Sequence, residues 1–290
     1  MEMFTYEFMQ RAFIAGVMAG LLCSFVSLFV VMQRLAFAGV GISHSALGGV
    51  AIGVLAGVNP VISAGLFCTA IAWLIGLISK KGDIHADTVI GIFFSATMAL
   101  GIALISLTRG YYPDLLGFLF GNILAVTVQD LWILGIAGTV IALFLTLFFK
   151  ELLFLCFDEE TAQAAGIPTT FLYYALLTVI ALTIVICVKI LGIVLASALL
   201  VIPAITGYEL ARNFRGVLVV SLVSGVITAT AGLFLSYHLN LPSGATIVLC
   251  ATLLFFAAML FSPRRRWIHS FKNARSQEPA SGTQPQSRAS

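Results

Sequence analysis

The chain contains nine apolar runs almost free of charge, near residues 12–32, 36–57, 60–79, 88–108, 129–149, 171–188, 190–206, 216–236 and 244–262. A helix needs about 20 mostly apolar residues to cross the hydrocarbon of a bilayer, and these runs are of that order. With 60% hydrophobic and 9% charged residues, the composition excludes a soluble globular domain. The expected fold is all-α, a polytopic transmembrane helix bundle over residues 1–263. The sixth and seventh runs are short, which leaves eight or nine spans open, the smaller number needing one re-entrant run.

Lysine and arginine set the expected orientation. If all nine runs span and the C-terminal tail is cytoplasmic, Arg34, Lys80, Lys81, Lys150, Arg212 and Arg215 lie inside, against Arg11, Arg109 and Lys189 outside. That excess favours an outside N-terminus and an inside C-terminus. Met1 to Arg11 carries Glu2 and Glu7 rather than a basic leader, so no signal peptide is expected. The five cysteines are scattered without Cys-x-x-Cys spacing and read as small packing residues, not as a disulfide framework or zinc cluster. From residue 264 to 290 the chain turns basic and polar, as a disordered cytoplasmic tail would. Arg264, Arg265 and Arg266 directly follow the last run, where they fit a contact with anionic lipid rather than nucleic acid.

His44 lies deep inside the second run, and an ionisable group at that depth is by default a functional site. The competing reading is a structural histidine that bonds a carbonyl or serine across a helix contact. Gly41, Ser45, Gly49, Gly53 and Gly57 recur at four-residue spacing, a stripe of small residues that lets helices approach closely. His44 stands beside this stripe, with Val40 and Gly48 above and below it, and Gly48 is expected to leave a gap next to the ring. A neutral imidazole, the form low dielectric favours, ligates zinc, copper, iron or nickel well and manganese acceptably.

Other chemistries find no support. The chain has no Gly-x-x-x-x-Gly-Lys-Ser/Thr phosphate loop and no nucleophile elbow, since Gly41-Ile-Ser-His-Ser45 breaks that pattern. Ser43 and His44 are neighbours on a helix, about 100° apart, and cannot act together as nucleophile and base. No enzyme activity is expected, and ATP chemistry would reside on another chain.

The longest interior connection, 150–170, contains Phe157-Asp-Glu-Glu-Thr-Ala-Gln-Ala-Ala-Gly-Ile-Pro168. Asp158 can cap a short helix whose first turn holds Glu159 and Glu160, and Gly166 with Pro168 ends it. Such a helix can insert into a groove on a soluble partner or serve only as a solvated connector.

Five segments, in this order, resemble the permease subunits of bacterial zinc and manganese ABC importers: Gly41-Ile-Ser-His-Ser-Ala-Leu-Gly-Gly49, Ala86-Asp-Thr-Val-Ile-Gly-Ile92, Leu119-Phe-Gly-Asn-Ile-Leu-Ala-Val-Thr127, Ala198-Leu-Leu-Val-Ile-Pro-Ala-Ile-Thr206 and Leu241-Pro-Ser-Gly-Ala-Thr-Ile-Val248. The resemblance covers nearly the whole chain apart from the tail. It implies the ABC importer permease fold in a bacterial plasma (inner) membrane. It also implies a homodimer clasped by two copies of a separate ABC ATPase and fed by an extracytoplasmic metal-binding protein. Ser43 and His44 map to the family's metal site. Asp158, Glu159, Glu160, Ala165 and Gly166 map to its coupling helix, the element that meets the ATPase.

Many members carry Gly-Asp-x-x-Ser-His, whereas here Val40 replaces the Asp, and the family's Phe-Gly-Asp is Phe-Gly-Asn122. The site must then be completed from other helices, carbonyls or water, with Ser95, Thr97, Met98 and Thr206 as candidates. Loss of a carboxylate shifts the expected cargo toward Zn2+, with Mn2+ next. The alternative is a stand-alone secondary metal-ion transporter or channel, which the lack of acids inside the runs disfavours.

Overall fold

The computed structural model describes residues 6–81, 85–107, 121 and 123–262; Arg109, Asn122 and the tail expected at 264–290 lie outside them. Among the described residues there is no strand, and nine helical segments are long and apolar enough to cross a membrane.

The spans are α1 (Glu7–Met32), α2 (Ala36–Ala56), α3 (Pro60–Lys81), α4 (Ala86–Leu107), α5 (Val128–Leu147), α8 (Thr169–Leu191), the pair α9 (Ile193–Leu199) and α10 (Ile202–Leu210), α11 (Phe214–Leu239) and α12 (Ser243–Leu260). Two short helices, α6 (Phe149–Phe157) and α7 (Glu159–Ala164), join α5 to α8. The fifth span therefore ends at Leu147 rather than 149, and the expected 150–170 loop is mostly helical. Leu152 and Leu155 on α6 are buried, and Phe149 stacks edgewise on Phe29 and Phe214 at 5.8 and 5.7 Å between ring centroids. This aromatic contact seats α6 across the ends of α1 and α11.

The inner helices are α1, α2 and α8, the most buried of the spans. Hydrophobic side chains point inward all round them because their surroundings are other helices, the pattern of a buried span rather than an amphipathic one. The bundle has two halves. One places α10 and α11 against α1, with α12 packed on α9, α10 and α11; the other sets α3, α4 and α8 around α2, and α8 also packs on α1.

The seventh span is not continuous. Pro203 has no amide hydrogen to give the Leu199 carbonyl, and its ring would collide with that carbonyl in a continuous helix. The chain instead closes α9 with Val201 N–H donating to Ala198 O at 3.1 Å and restarts with Ile205 N–H donating to Val201 O at 3.3 Å. The 190–206 run was expected as one unbroken span; the proline divides it and it reaches Leu210.

Connections at the two ends are tight. At the end carrying α6 and α7, α1 closes through Arg34, whose φ is +57°, with Leu35 N–H donating to Val30 O and Arg34 N–H to Val31 O. This is the two-bond closure of a helix by a left-handed residue. At the opposite end, Lys189 pairs with Asp130, which also forms a reciprocal cap with Thr127 at the start of α5. Gly121 lies on the turn between α8 and α9; a Cβ there would stand 2.2 Å from the Leu191 carbonyl.

The stripe expected on α2 is what brings its neighbours close. A Cβ on Gly49 would come within 2.6 Å of Ala64 Cα on α3, and one on Gly41 within 2.7 Å of Ile90 Cγ2 on α4. Gly65, on α3, meets nothing within 4 Å. Gly49→Ala should therefore destabilise the chain by about 1–3 kcal/mol, the cost of overpacking a tight contact, while Gly65→Ala should not. Thermal unfolding in detergent checks this, with a clear drop in Tm expected for the first variant alone.

Candidate functional site

On α2 the side chains divide by the helical period. Gly41, Ser45 and Gly49 turn toward α3 and α4, whereas Val40 and His44 lie beside that stripe, about 100° round the helix from Gly41 and Ser45, on a more open strip with Phe37 one turn earlier. Phe37 is 61% exposed, and Val40 and His44 are half-buried. The His44 ring meets Phe94 of α4 edge-to-face, 4.7 Å between centroids. One side of the imidazole is thus braced by an aromatic ring, and the residue as a whole is half-buried.

The expected gap at Gly48 is absent. A Cβ there would lie 3.1 Å from both Phe67 Cε1 and the Thr97 carbonyl oxygen, and one on Gly101 would lie 2.9 Å from Gly48 N. Backbone meets backbone where α2 crosses α4, so the space that sequence spacing assigned to a path is filled by the helix contact itself.

Ser43 does not share that strip. Its side chain is fully buried, and its hydroxyl donates to the Val40 carbonyl at 2.8 Å. Of the other candidates, Thr97 is 2.9 Å from Ser45 Oγ across the α2–α4 contact, Thr206 donates to Ile202 O at 2.8 Å inside α10, and Met98 packs with Leu47, Ala51 and Ile105. Ser95 alone is exposed. Among the described residues no group of three or more His, Cys, Asp or Glu could hold a metal ion. Among the described residues the structure therefore gathers no complete ligand set; it offers one imidazole on a half-buried strip. Leu200, at the break in the seventh span, lies close to Gly39 on α2, which sets interrupted backbone one turn from Ser43.

The second predicted feature is the helix beginning at Asp158. The Thr161 amide donates to Asp158 Oδ1 at 3.1 Å and its hydroxyl donates to Oδ2. These bonds from Thr161 hold the carboxyl below the usual carboxylate range. At the other end Gly166 takes φ +83°, and Ile167 N–H donates to Ala162 O at 3.1 Å while Gly166 N–H donates to Gln163 O at 3.0 Å. The short helix is closed at both ends by its own residues. Ala162 is buried, while Glu160, Gln163, Ala164 and Ala165 face outward.

Two residues here were not anticipated. Lys80 of α3 pairs with Glu159 and lies 4.3 Å from the centroid of the Tyr173 ring, tying α7 to α3 and α8. Phe157, directly before the cap, is 72% exposed. A hydrophobic residue in that place usually folds back onto the first turns of its helix; here it projects outward, leaving an aromatic ring beside the acidic turn.

A bundle of nine apolar helical segments with an ionisable strip at depth and a capped helix at one end is a membrane permease, a multi-pass protein of the bacterial plasma membrane. The pattern of the ABC 3 transport family matches residues 5–262, and the chain belongs to that family. It is 39% identical to the manganese transport system membrane protein MntC of Listeria monocytogenes over 267 residues, covering 92% of this chain and 95% of that one. It is 35% identical to the manganese import system permease protein ScaB of Streptococcus gordonii over 263 residues, 91% of this chain and 94% of the relative. Among solved structures, PsaBC from Streptococcus pneumoniae in complex with Fab superposes with a TM-score of 0.82 at 34% identity, covering 91% of this chain and 95% of that one. The resemblance carried by the five sequence segments is thereby confirmed for the permease of a metal ABC importer.

The Ser45–Thr97 contact tests how α2 is held. Thr97→Val keeps the shape and removes the hydroxyl, and interhelical hydrogen bonds in membranes average about 0.6 kcal/mol with a maximum near ~1.7. Thr97→Val and Ser45→Ala should each lower Tm slightly, and the double variant should lose less than the sum, as a double-mutant cycle in detergent would read.

Proposed function

We propose that this chain forms the translocation path of an ATP-driven importer of divalent metal ions, with Mn2+ as the first cargo and Zn2+ next. It works as a homodimer coupled through α7 to a separate ABC ATPase and receives metal from an extracytoplasmic binding protein. The observation that carries the reading is His44 on the open strip of α2, within a chain whose relatives are named for manganese transport and import. Loss of the family's carboxylate at Val40 argues for zinc; the relatives argue for manganese, and at this degree of identity over nearly the whole chain they weigh more.

In this reading the neutral imidazole offers one nitrogen lone pair to an ion passing along the strip, and oxygen atoms complete the shell. Manganese accepts imidazole together with carbonyl, hydroxyl or water oxygen. An incomplete set in one copy suits a path shared by two, since a transported ion must be released as well as bound. Ser43, with its hydroxyl turned to the Val40 carbonyl, supports the helix beside the ligand rather than standing next to the imidazole.

The acidic turn of α7, the outward Ala164 and Ala165, and exposed Phe157 together form a surface suited to a groove on a soluble partner. Lys80 links that surface to α3. The broken seventh span would also suit a gradient-driven carrier, and dependence of uptake on the ATPase chain separates the two.

His44→Ala should abolish Mn2+ uptake by vesicles containing the permease, its ATPase and binding protein, without loss of assembly. Val40→Asp should raise Mn2+ relative to Zn2+ uptake, because it adds an oxygen ligand four residues before the imidazole. Normal uptake by assembled His44→Ala complexes would return the residue to a structural role.

For coupling, Gly166→Ala and Gly166→Trp share the same backbone strain, since any side chain at φ +83° is disfavoured, but only Trp adds bulk. ATPase stimulation in the purified complex should fall further for Trp than for Ala; equal values would place the effect in the turn and not in a docking face.

A further inference from the structure

A groove of about 1180 Å³ runs between α3, α5 and α8. Its walls include Trp73 and Leu77 of α3 and Val140 and Phe144 of α5, and its floor is α8 from Thr170 to Leu182. We propose that it holds one acyl chain of a phospholipid from the leaflet on the α6–α7 side. The proposal rests on the chain spanning a membrane and is independent of the cargo.

Depth and length argue for this occupant. The lining runs on α8 from Thr170, near its start, to Leu182, near its middle, and on α3 it reaches Leu77, three residues before Lys80. Twelve residue steps at 1.5 Å make about 18 Å, close to the ~15 Å half-thickness of a ~30 Å hydrocarbon core. It therefore occupies one leaflet.

Chemistry argues the same way. The indole N–H and the threonine hydroxyl of the lining are taken up within the protein: Trp73 Nε1 donates to Thr178 Oγ1 at 2.9 Å, and Thr178 in turn donates to the Tyr174 carbonyl at 2.8 Å. The indole is 50% exposed and Val140 61%, so the ring and the aliphatic wall face the groove without a hydrogen-bonding group to offer. Water needs two to four polar partners to occupy a cavity, and this one does not supply them; at this depth the medium that remains is hydrocarbon.

The open end is suited to a headgroup. Thr170 is exposed there, Lys80 lies over the neighbouring Tyr173 ring, and exposed Lys150 follows the end of α5. Cations at the interface attract anionic lipid by about 1 kcal/mol each. A phosphate at that level would approach the same ammonium that pairs with Glu159 of α7.

The chain has three tryptophans, which supply probe and control. A variant retaining only Trp73 (Trp132→Phe, Trp267→Phe) and one retaining only Trp132 (Trp73→Phe, Trp267→Phe) are reconstituted in phosphatidylglycerol vesicles brominated at mid-chain, then extracted and washed in lipid-free detergent. Trp132 is 68% exposed on α5 and reports lipid of the bulk surface. Both should be quenched in the vesicles. After washing, Trp132 should regain its fluorescence while Trp73 keeps most of its quenching, with about one lipid phosphorus retained per chain; filling the groove by Ala175→Phe should release it. Equal recovery of both tryptophans, or quenching that survives Ala175→Phe, would overturn the proposal. So would a Trp73 that bromine never reaches in the vesicles, which would mean that protein covers the groove, a second copy being the obvious cover.

Discussion

Helices in hydrocarbon gain no hydrophobic free energy by meeting, because lipid tails are as apolar as leucine; they associate by close packing and by hydrogen bonds between them. The tight seating of α2 between α3 and α4 follows from that constraint. Glycine at positions 41, 48, 49 and 101 removes the side chains that would hold the backbones apart, and the Ser45–Thr97 hydroxyl pair pins the crossing. With one face of α2 committed to this contact, Val40 and His44, about 100° round the helix from Gly41 and Ser45, lie along its margin. The orientation of the histidine is thus a consequence of where the glycines are.

Much of this was legible in the sequence, for physical reasons. Eight or nine spans follow from the length of the apolar runs, nine being found among the described residues, and the ends of α7 follow from Asp158 and Gly166, whose side chain and lack of one dictate local geometry. The stripe on α2 was also visible, because helical period is a local property. The direction of its contacts was not. Gly48 read as a gap because a sequence shows the missing side chain but not the Phe67 ring and Thr97 carbonyl that fill the place. Pro203 carried a readable signal for the break in the seventh span, yet the surrounding residues are so uniformly apolar that hydropathy alone shows an unbroken run. The Lys80–Glu159 pair joins residues far apart in the chain, and no spacing rule connects them.

The same packing relates the two candidate functional elements. α7 is tied to α3 by Lys80, α3 lies against α2 through Ala64 and Gly49, and α2 carries His44. This contiguous route supports a reading in which displacement of α7 by an ATPase is passed to the metal strip by rigid helices rather than by a flexible loop. Phe94, braced against the imidazole, belongs to α4, the other side of the same clasp.

The central claim is that the outward strip of α2 lines a water-filled path rather than facing lipid. Val40→Cys, placed four residues before His44, reads this directly when the assembled importer is treated with a charged, membrane-impermeant thiol reagent and compared with the parent chain. Modification well above that of the parent, slowed by Mn2+, is the expected result. A Val40→Cys importer that assembles and transports but is modified no faster than the parent would contradict it.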